Sequence, residues 1–347
     1  MKKLTAIIAA FSLTLGGVLI GGPAQADQSD QVIQIINRLA PGLLAQTSRD
    51  ELLTLSKQTS DNLKQGVQLY SLARDKKSSV KMTVPFAKNI VKGAEGISVL
   101  SGDEAAINAV SQSTPNGFRV LMTLTAAPKS NRFDFKFDLP SGMDTQPSPN
   151  GFLVSSGSRV LGSVAKPWAI DGNGRLLKTH FEWKDETLTQ VLDENLETVS
   201  YPVVLDPAWA YIQQYDLDFS PVTSFNRLKT CFNCYFPVDG APRNYPTQGQ
   251  LLPLTVGGIG NFECTMGPTF TGSNYRVFEF FATRNHVDGY GSKIAFEFLL
   301  VGGKSKLVVE GFVVNNFYLF GQYFYVLSAG YTWQRFANNL NSPAPRT

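Results

Sequence analysis

From position 133 to 139 apolar and charged residues alternate, with Phe133, Phe135, Phe137 and Leu139 set against Asp134, Lys136 and Asp138. Successive side chains on a strand point to opposite faces, so this pattern predicts a strand with one buried and one wet face. Phe181 and Trp183 alternate with His180 and Glu182 in the same manner, and residues 118–125 and 151–154 read as further strands. Between them fall Pro115-Asn116-Gly117, Pro140-Ser141-Gly142, Pro149-Asn150-Gly151 and Asp171-Gly172-Asn173-Gly174. Asn-Gly and Asp-Gly supply the positive φ that tight connections need, so residues 78–207 read as a β-rich sandwich or meander. Residues 90–113, with Ala105, Ala106 and Ala109, are ambiguous and could hold a short helix. Pro202 and Pro207 lack amide donors, which predicts an edge strand or a domain exit at 201–207.

Upstream the period changes. Ile36, Leu39 and Leu43 recur at spacings of three and four around Pro41, which should break or kink a helix. Ser48-Arg49-Asp50-Glu51 has the form of a capping box. Behind it Leu52, Leu55, Leu63, Val67 and Tyr70 share a helical stripe, which reads as a helix that caps the following domain or, as the alternative, one that binds a partner. Downstream, 208–225 reads as a connector. Apolar stretches 294–301 and 307–314 flank Gly302-Gly303, which predicts a hairpin. Trp333, Phe336 and Leu340 predict a short closing helix capped by Thr332. The fold class is α+β, mostly β: an N-terminal helical region, a β-rich middle module, and a β-sandwich-like C-terminal domain with a short terminal helix.

Met1-Lys2-Lys3, the uncharged run 4–22 and Ala24-Gln25-Ala26 follow the order of a secretory signal peptide. The expected organisation is therefore a signal peptide over 1–26, the helical region 27–77, the module 78–207, the linker 208–225, the C-terminal domain 226–342 and a tail 343–347. A second apolar run of about 20 residues is absent, so no membrane span is expected after cleavage. The 347 residues allow about two or three domains. Lys and Arg total 31 and Asp and Glu 28; without Lys2 and Lys3 the balance is 29 − 28 = +1. A balance so near zero argues against nucleic acid as a partner, which requires clustered positive charge.

Two blocks carry a resemblance. Ala169-Ile-Asp-Gly-Asn-Gly174, Thr179-His-Phe-Glu182, Thr187-Leu-Thr-Gln-Val191 and Tyr201-Pro-Val-Val-Leu-Asp-Pro207 resemble a module of uncharacterised secreted proteins of Gram-positive actinobacteria, where it precedes varied C-terminal domains. The stretch from Cys231-Phe-Asn-Cys234 to Trp333-Gln-Arg-Phe-Ala-Asn-Asn-Leu340 is similar to the end domain of a subset of them. The resemblance spans about 118–207 and 231–340. It implies an exported protein and carries no activity, cofactor or catalytic residue with it.

Export places the three cysteines in an oxidising compartment, where pairing is expected. Cys231-Phe-Asn-Cys234 has the CxxC spacing of redox pairs and half zinc sites. Zinc would need Cys264 and His286 to complete it, and no metal or cofactor is expected. The surroundings of the CxxC read as loop and strand, so a structural disulfide is the expectation, Cys234–Cys264 or alternatively Cys231–Cys264. His286 and Asp288 are the only weak catalytic candidates, and the Asp288-Gly289 turn makes a solvated surface His the plainer reading. GxSxG, HExxH and phosphate-loop motifs are absent. Paired acids, such as Glu279 or Glu297, cannot be chosen without geometry. Tyr318, Phe320, Tyr323 and Tyr325 lie in an aromatic-rich stretch; strand neighbours two apart share a face, so if some of the four were exposed on one face they would form a platform. The expected function is a non-enzymatic extracellular or cell-envelope binding protein whose partners are a cell-wall glycan or a lipid. The alternatives are a secreted hydrolase of wall polymer or lipid, and an exported effector with an active C-terminal domain.

Overall fold

The computed structural model describes residues 23–44, 53–55, 66–71, 79–92, 96–114, 117–256, 260–288, 292–312 and 322–343. Three large sheets stack in sequence, with helices on the far side of the third. The outer sheet is six-stranded, in the order Leu53–Leu55, Val67–Ser71, Val80–Val84, Arg132–Asp138, Thr187–Leu192, Thr179–Lys184. The central sheet is ten-stranded. Its main path runs Ala87–Lys92, Ile97–Gly102, Ile107–Thr114, Gly117–Leu124, Ala208–Tyr211, Arg159–Ala165, Gly151–Ser156, Asp144–Ser148, while Val203–Leu205 and Ala169–Ile170 branch beside Gly117–Leu124. The C-terminal sheet is six-stranded, in the order Gln213–Asp216, Lys304–Phe312, Lys293–Val301, Tyr275–Ala282, Cys264–Thr271, Leu251–Leu252.

Alternation builds the first interface. In Arg132–Asp138 every second residue is buried, so Phe133, Phe135 and Phe137 meet Val120, Met122, Val154, Leu205 and Trp209 of the central sheet while the charged residues face water. Phe137 and Trp183 sit 5.0 Å apart and Phe152 and Trp183 5.8 Å apart, tying the strand at the edge to the same core. On the other face of the central sheet, helix α1 (Pro23–Leu39) sets Val32, Ile36 and Leu39 on Val99, Val110, Leu121 and Val204. The helix ends just before Pro41, whose ring is incompatible with a continuing turn.

The same outer face of the central sheet continues past α1 to receive the C-terminal sheet. Only Ile212 separates Ala208–Tyr211 from Gln213–Asp216, so the chain steps from one sheet to the next within a single residue. The far face of the C-terminal sheet carries α2 (Pro221–Thr230), α3 (Phe232–Tyr235) and α4 (Gln322–Asn341). Ser220 caps α2 by accepting from the Thr223 amide, and Pro221 occupies the first turn, where its missing N–H is harmless. Phe225, Phe232, Phe236, Phe278, Phe280, Phe296, Phe298 and Phe336 are all buried between these helices and the sheet. The hairpin at Gly302-Gly303 forms as expected, with φ of 54° and 76° at the two glycines.

Five expectations on local structure are corrected. The Ser48 capping box lies outside the described residues, but Leu55 and the Val67–Tyr70 stretch are on strands, not a helix. The order Val67-Gln68-Leu69 alternates as well as it fits a helical stripe, and pairing with Val80–Val84 decides between the two. Residues 97–102 and 107–114 form strands that pair in register, with no helix between them. Val203–Leu205 is interior, bonded on both sides, because Pro202 and Pro207 flank it rather than occupy it. Residues 208–225 are two strands and the start of α2, not a linker. Thr332 lies inside α4, which begins ten residues earlier at Gln322.

Candidate functional site

Where the C-terminal sheet meets the central sheet, an apolar patch gives way to a cluster of buried charge. The apolar part is Leu153 and Val160 against Leu299, Val301 and Val308, flanked by Ile212 and Tyr275. The turn at Gly302 lies against Gly157 and Ser158, so close that a Cβ on Gly302 would come within 2.4 Å of the Gly157 carbonyl. Gln214 of one sheet exchanges two bonds with Val160 of the other, accepting at 2.9 Å and donating at 2.6 Å, and Gln146 donates to the Leu300 carbonyl at 3.0 Å.

Beside this patch three glutamates share one face of the C-terminal sheet. Glu279 stands opposite Ala295, Ala295 opposite Glu310, and Glu297 opposite Val277 and Val308. Glu297 is therefore the diagonal neighbour of Glu279 on one side and of Glu310 on the other, a spacing of about 7–8 Å between Cα atoms. The central sheet offers them neutral groups. The Ser148 and Asn150 side chains donate to the two oxygens of Glu297, and the Ser163 hydroxyl donates to Glu310 at 2.8 Å. Lys293 reaches Glu279 at 3.6 Å. It also lies within electrostatic range of Asp206, which is buried beside Arg119 and accepts from the Trp168 amide at 3.4 Å.

Removal from water disfavours the charged forms of Asp206, Glu297, Glu310 and Arg119. Burial pushes Asp206 up to about 7, against the opposing pull of Arg119. Burial pushes Glu297 up to about 7, helped by the negative neighbour Glu310. Glu310 is raised by burial and by Glu279, although Lys293 and Ser163 pull it back. Arg119 is lowered to about 10 by the same desolvation. The seam thus holds carboxyl groups that keep protons near neutral pH, the property of a general acid or of a buried structural acid.

The residues predicted from sequence fall elsewhere. His286 is not a solvated surface residue. Its side chain is only 7% exposed, packs edge-on to Phe262 at 5.1 Å, and accepts the Asp288 amide on Nδ1 at 2.9 Å. Burial lowers its pKa to about 4, and the Asp288 carboxylate is 3.9 Å from Nδ1. Asp288 is itself buried. Cys264 does not pair with Cys234 or Cys231. The disulfide joins Cys231 to Cys234, whose Cα atoms are 5.3 Å apart, and Cys264 is a free buried thiol. The reason is local: Cys231 caps α3 and Cys234 lies one turn on, whereas Cys264 is on a strand of the sheet. Burial first, and Asp288 and Glu263 next, push the Cys264 thiol up to about 12, so it stays protonated and unreactive. Tyr318 and Phe320 lie outside the described residues. Tyr323 and Tyr325 are on α4 and not on a strand. Glu279 and Glu297, which the sequence offered only as examples of acids that could not be chosen without geometry, both lie on this seam. Glu310, Lys293, Arg119, Asp206, Asn150 and the two serines were missed.

A second polar constellation covers the open face of the outer sheet. Arg132 pairs with both carboxylate oxygens of Glu182, one contact measuring 3.1 Å. His180 contacts Asp193 at 2.7 Å through Nδ1 and Glu182 at 3.4 Å through Nε2. Thr189 donates to Asp134 at 2.6 Å, and Lys81 pairs with Asp138 at 2.9 Å. The bond to Asp193 raises the His180 pKa, and the bond from Arg132 holds Glu182 down at about 2. Register places Gln68, Thr83, Lys136, Thr187 and Lys184 in one row across five strands.

The chain matches no protein-family model, no curated protein and no solved structure. Among the described residues no group of three or more His, Cys, Asp or Glu is arranged to hold a metal ion, and no helix is long and apolar enough to cross a membrane.

Proposed function

We propose that this is an exported, non-catalytic protein of the cell envelope or extracellular space that binds a hydrated polymer, such as a wall glycan, through the open face of its outer sheet. The observation that carries the reading is that face itself. It spans five strands, is lined by Lys, Arg, Asp, Glu, Thr and Gln, and has its donors and acceptors laid out in ladder rows. A flat array of this chemistry suits hydroxyl-rich and charged polymers better than lipid chains, which require exposed apolar surface. Support for a non-catalytic role comes from the commitment of the acid–base groups: His286 is packed against Phe262, Cys264 is buried, and Glu297 has both oxygens bonded. Support for export is the Lys2/Lys3, apolar run and Ala24-Gln25-Ala26 order.

The hydrolase reading keeps one specific observation, the half-buried Glu310 beside the proton-holding Glu297. The experiment incubates purified full chain with insoluble wall polymer and measures both retained protein and released soluble fragments. Retention without fragment release is the expected result. Fragment release that Glu297→Gln abolishes would replace binding with hydrolysis.

A further inference from the structure

We propose that the seam between the central and C-terminal sheets is a proton-dependent latch, closed while some of its buried acids carry protons and loosened when they ionise. The argument begins with the charges that face one another. The C-terminal sheet contributes Glu279, Glu297, Glu310 and Lys293 to this face. Lys306 belongs to the same face but is paired with Asp216 at 2.6 Å. The central sheet contributes Arg119 and, just after Val203–Leu205, Asp206, which interact with each other; its contacts to the glutamates are Ser148, Asn150 and Ser163, all neutral. Arg119 offsets Asp206, and Lys293 alone lies among the three glutamates, so full ionisation leaves this largely buried seam with an excess of negative charge. Like charges in such a setting repel strongly, and the proton is the smallest compensating ion.

Asn150 fits this reading. It is buried, its Nδ2 is 3.4 Å from Glu297 Oε1, and its Oδ1 has no hydrogen-bond partner. The amide orientation is interchangeable. With the amide turned over, Oδ1 would accept a hydrogen bond from a protonated Glu297 Oε1. The same residue can thus serve either protonation state, but only the protonated one removes the repulsion from Glu310. The raised pKa values of Asp206, Glu297 and Glu310 point the same way.

The sign follows from proton linkage. When the seam opens, Asp206, Glu297 and Glu310 return toward ordinary carboxyl values, so between about pH 4.5 and 7 the closed form holds more protons than the open one. Raising the pH through that window favours opening, by about tenfold per pH unit for each proton so retained. The apolar half of the seam holds the sheets together when the acids are neutral.

A thiol placed in the seam reads this opening. Val160→Cys puts a small reporter in the buried apolar half without touching the acids, Ser141→Cys supplies an exposed reference, and the native buried Cys264 reports global unfolding. The full chain would be labelled with a small methanethiosulfonate at about pH 5.5 and about pH 8.5, each rate divided by that of the reference. The proposal expects the seam ratio to rise by about tenfold or more while Cys264 stays unlabelled. Adding Glu297→Gln, which keeps shape and cannot ionise, should reduce the rise; Glu310→Gln gives the same test should the first variant fail to fold. A ratio that does not change with pH, a Cys264 that labels in step, or a rise untouched by either glutamine overturns the latch.

Discussion

Replacing Phe296 with Ala separates an aromatic core from an aromatic binding platform. Phe296 is fully buried, and its ring lies 4.8 Å from Phe278, 4.8 Å from Trp333, 5.5 Å from Phe236, 5.7 Å from Phe336 and 5.8 Å from Phe280. Deleting a buried Phe costs about 3–5 kcal/mol, and aromatic pairs contribute about 0.5–1.5 kcal/mol beyond burial. These neighbours come from a strand, the end of α3 and α4, so collapse around the cavity would have to move several elements together. We therefore expect a loss of about 4 kcal/mol, a large part of the about 5–15 kcal/mol typical of a whole domain. Tyr331, on α4 and 69% exposed, is the control, and Tyr331→Ala should stay within about 0.5 kcal/mol. Urea unfolding followed by tryptophan fluorescence and far-ultraviolet circular dichroism gives both numbers. A loss below about 1 kcal/mol for Phe296→Ala, or an equal loss for the two variants, would refute the packing argument.

The other expectations concern glycine, titration and thiols. Gly302→Ala should destabilise far more than Gly303→Ala in parallel melts: both have positive φ, but only the first meets backbone, at Gly157, while the second opens on free space. His180 has a raised folded-state pKa, so its contribution is fully present below the unfolded value of about 6.5 and is lost as pH rises through the folded value. Being about half exposed, it should contribute less than about 1 kcal/mol, and a nuclear magnetic resonance titration that finds its pKa below 6.5 would remove the contribution. Peptide mapping without reductant should recover Cys231 linked to Cys234, with Cys264 unmodified by a thiol reagent until the chain unfolds.

Period-two patterning made the middle module legible. Phe133, Phe135 and Phe137 bury as their alternation predicts, and His180 and Glu182 face water opposite Phe181 and Trp183. The hairpin at Gly302-Gly303 was equally plain, because two positive φ values demand such residues. The segment holding Val67 was misread because its apolar positions satisfy both periods, and only pairing with Val80–Val84 chooses. The seam acids carried a weaker mark. Glu279 and Glu297 each interrupt a strand whose neighbours are apolar on both faces, which says the acid is buried but not what faces it. The partners of Glu297, Ser148 and Asn150, lie on other elements, far away along the chain. The cysteine pairing failed for a related reason: the helix α3 that brings Cys231 and Cys234 together is one short turn, too brief to leave a periodic pattern.

The central claim is that the protein holds a hydrated polymer on the polar face of its outer sheet. Co-sedimentation of the full chain with insoluble wall polymer, beside a variant carrying Lys136→Glu and Lys184→Glu, tests it directly. Both side chains are exposed and lie in one row, so the fold should survive the change. The account predicts saturable retention of the native chain, loss of most of it in the variant, and no retention on lipid vesicles. Equal retention of native and variant chains, or retention on vesicles alone, would contradict it.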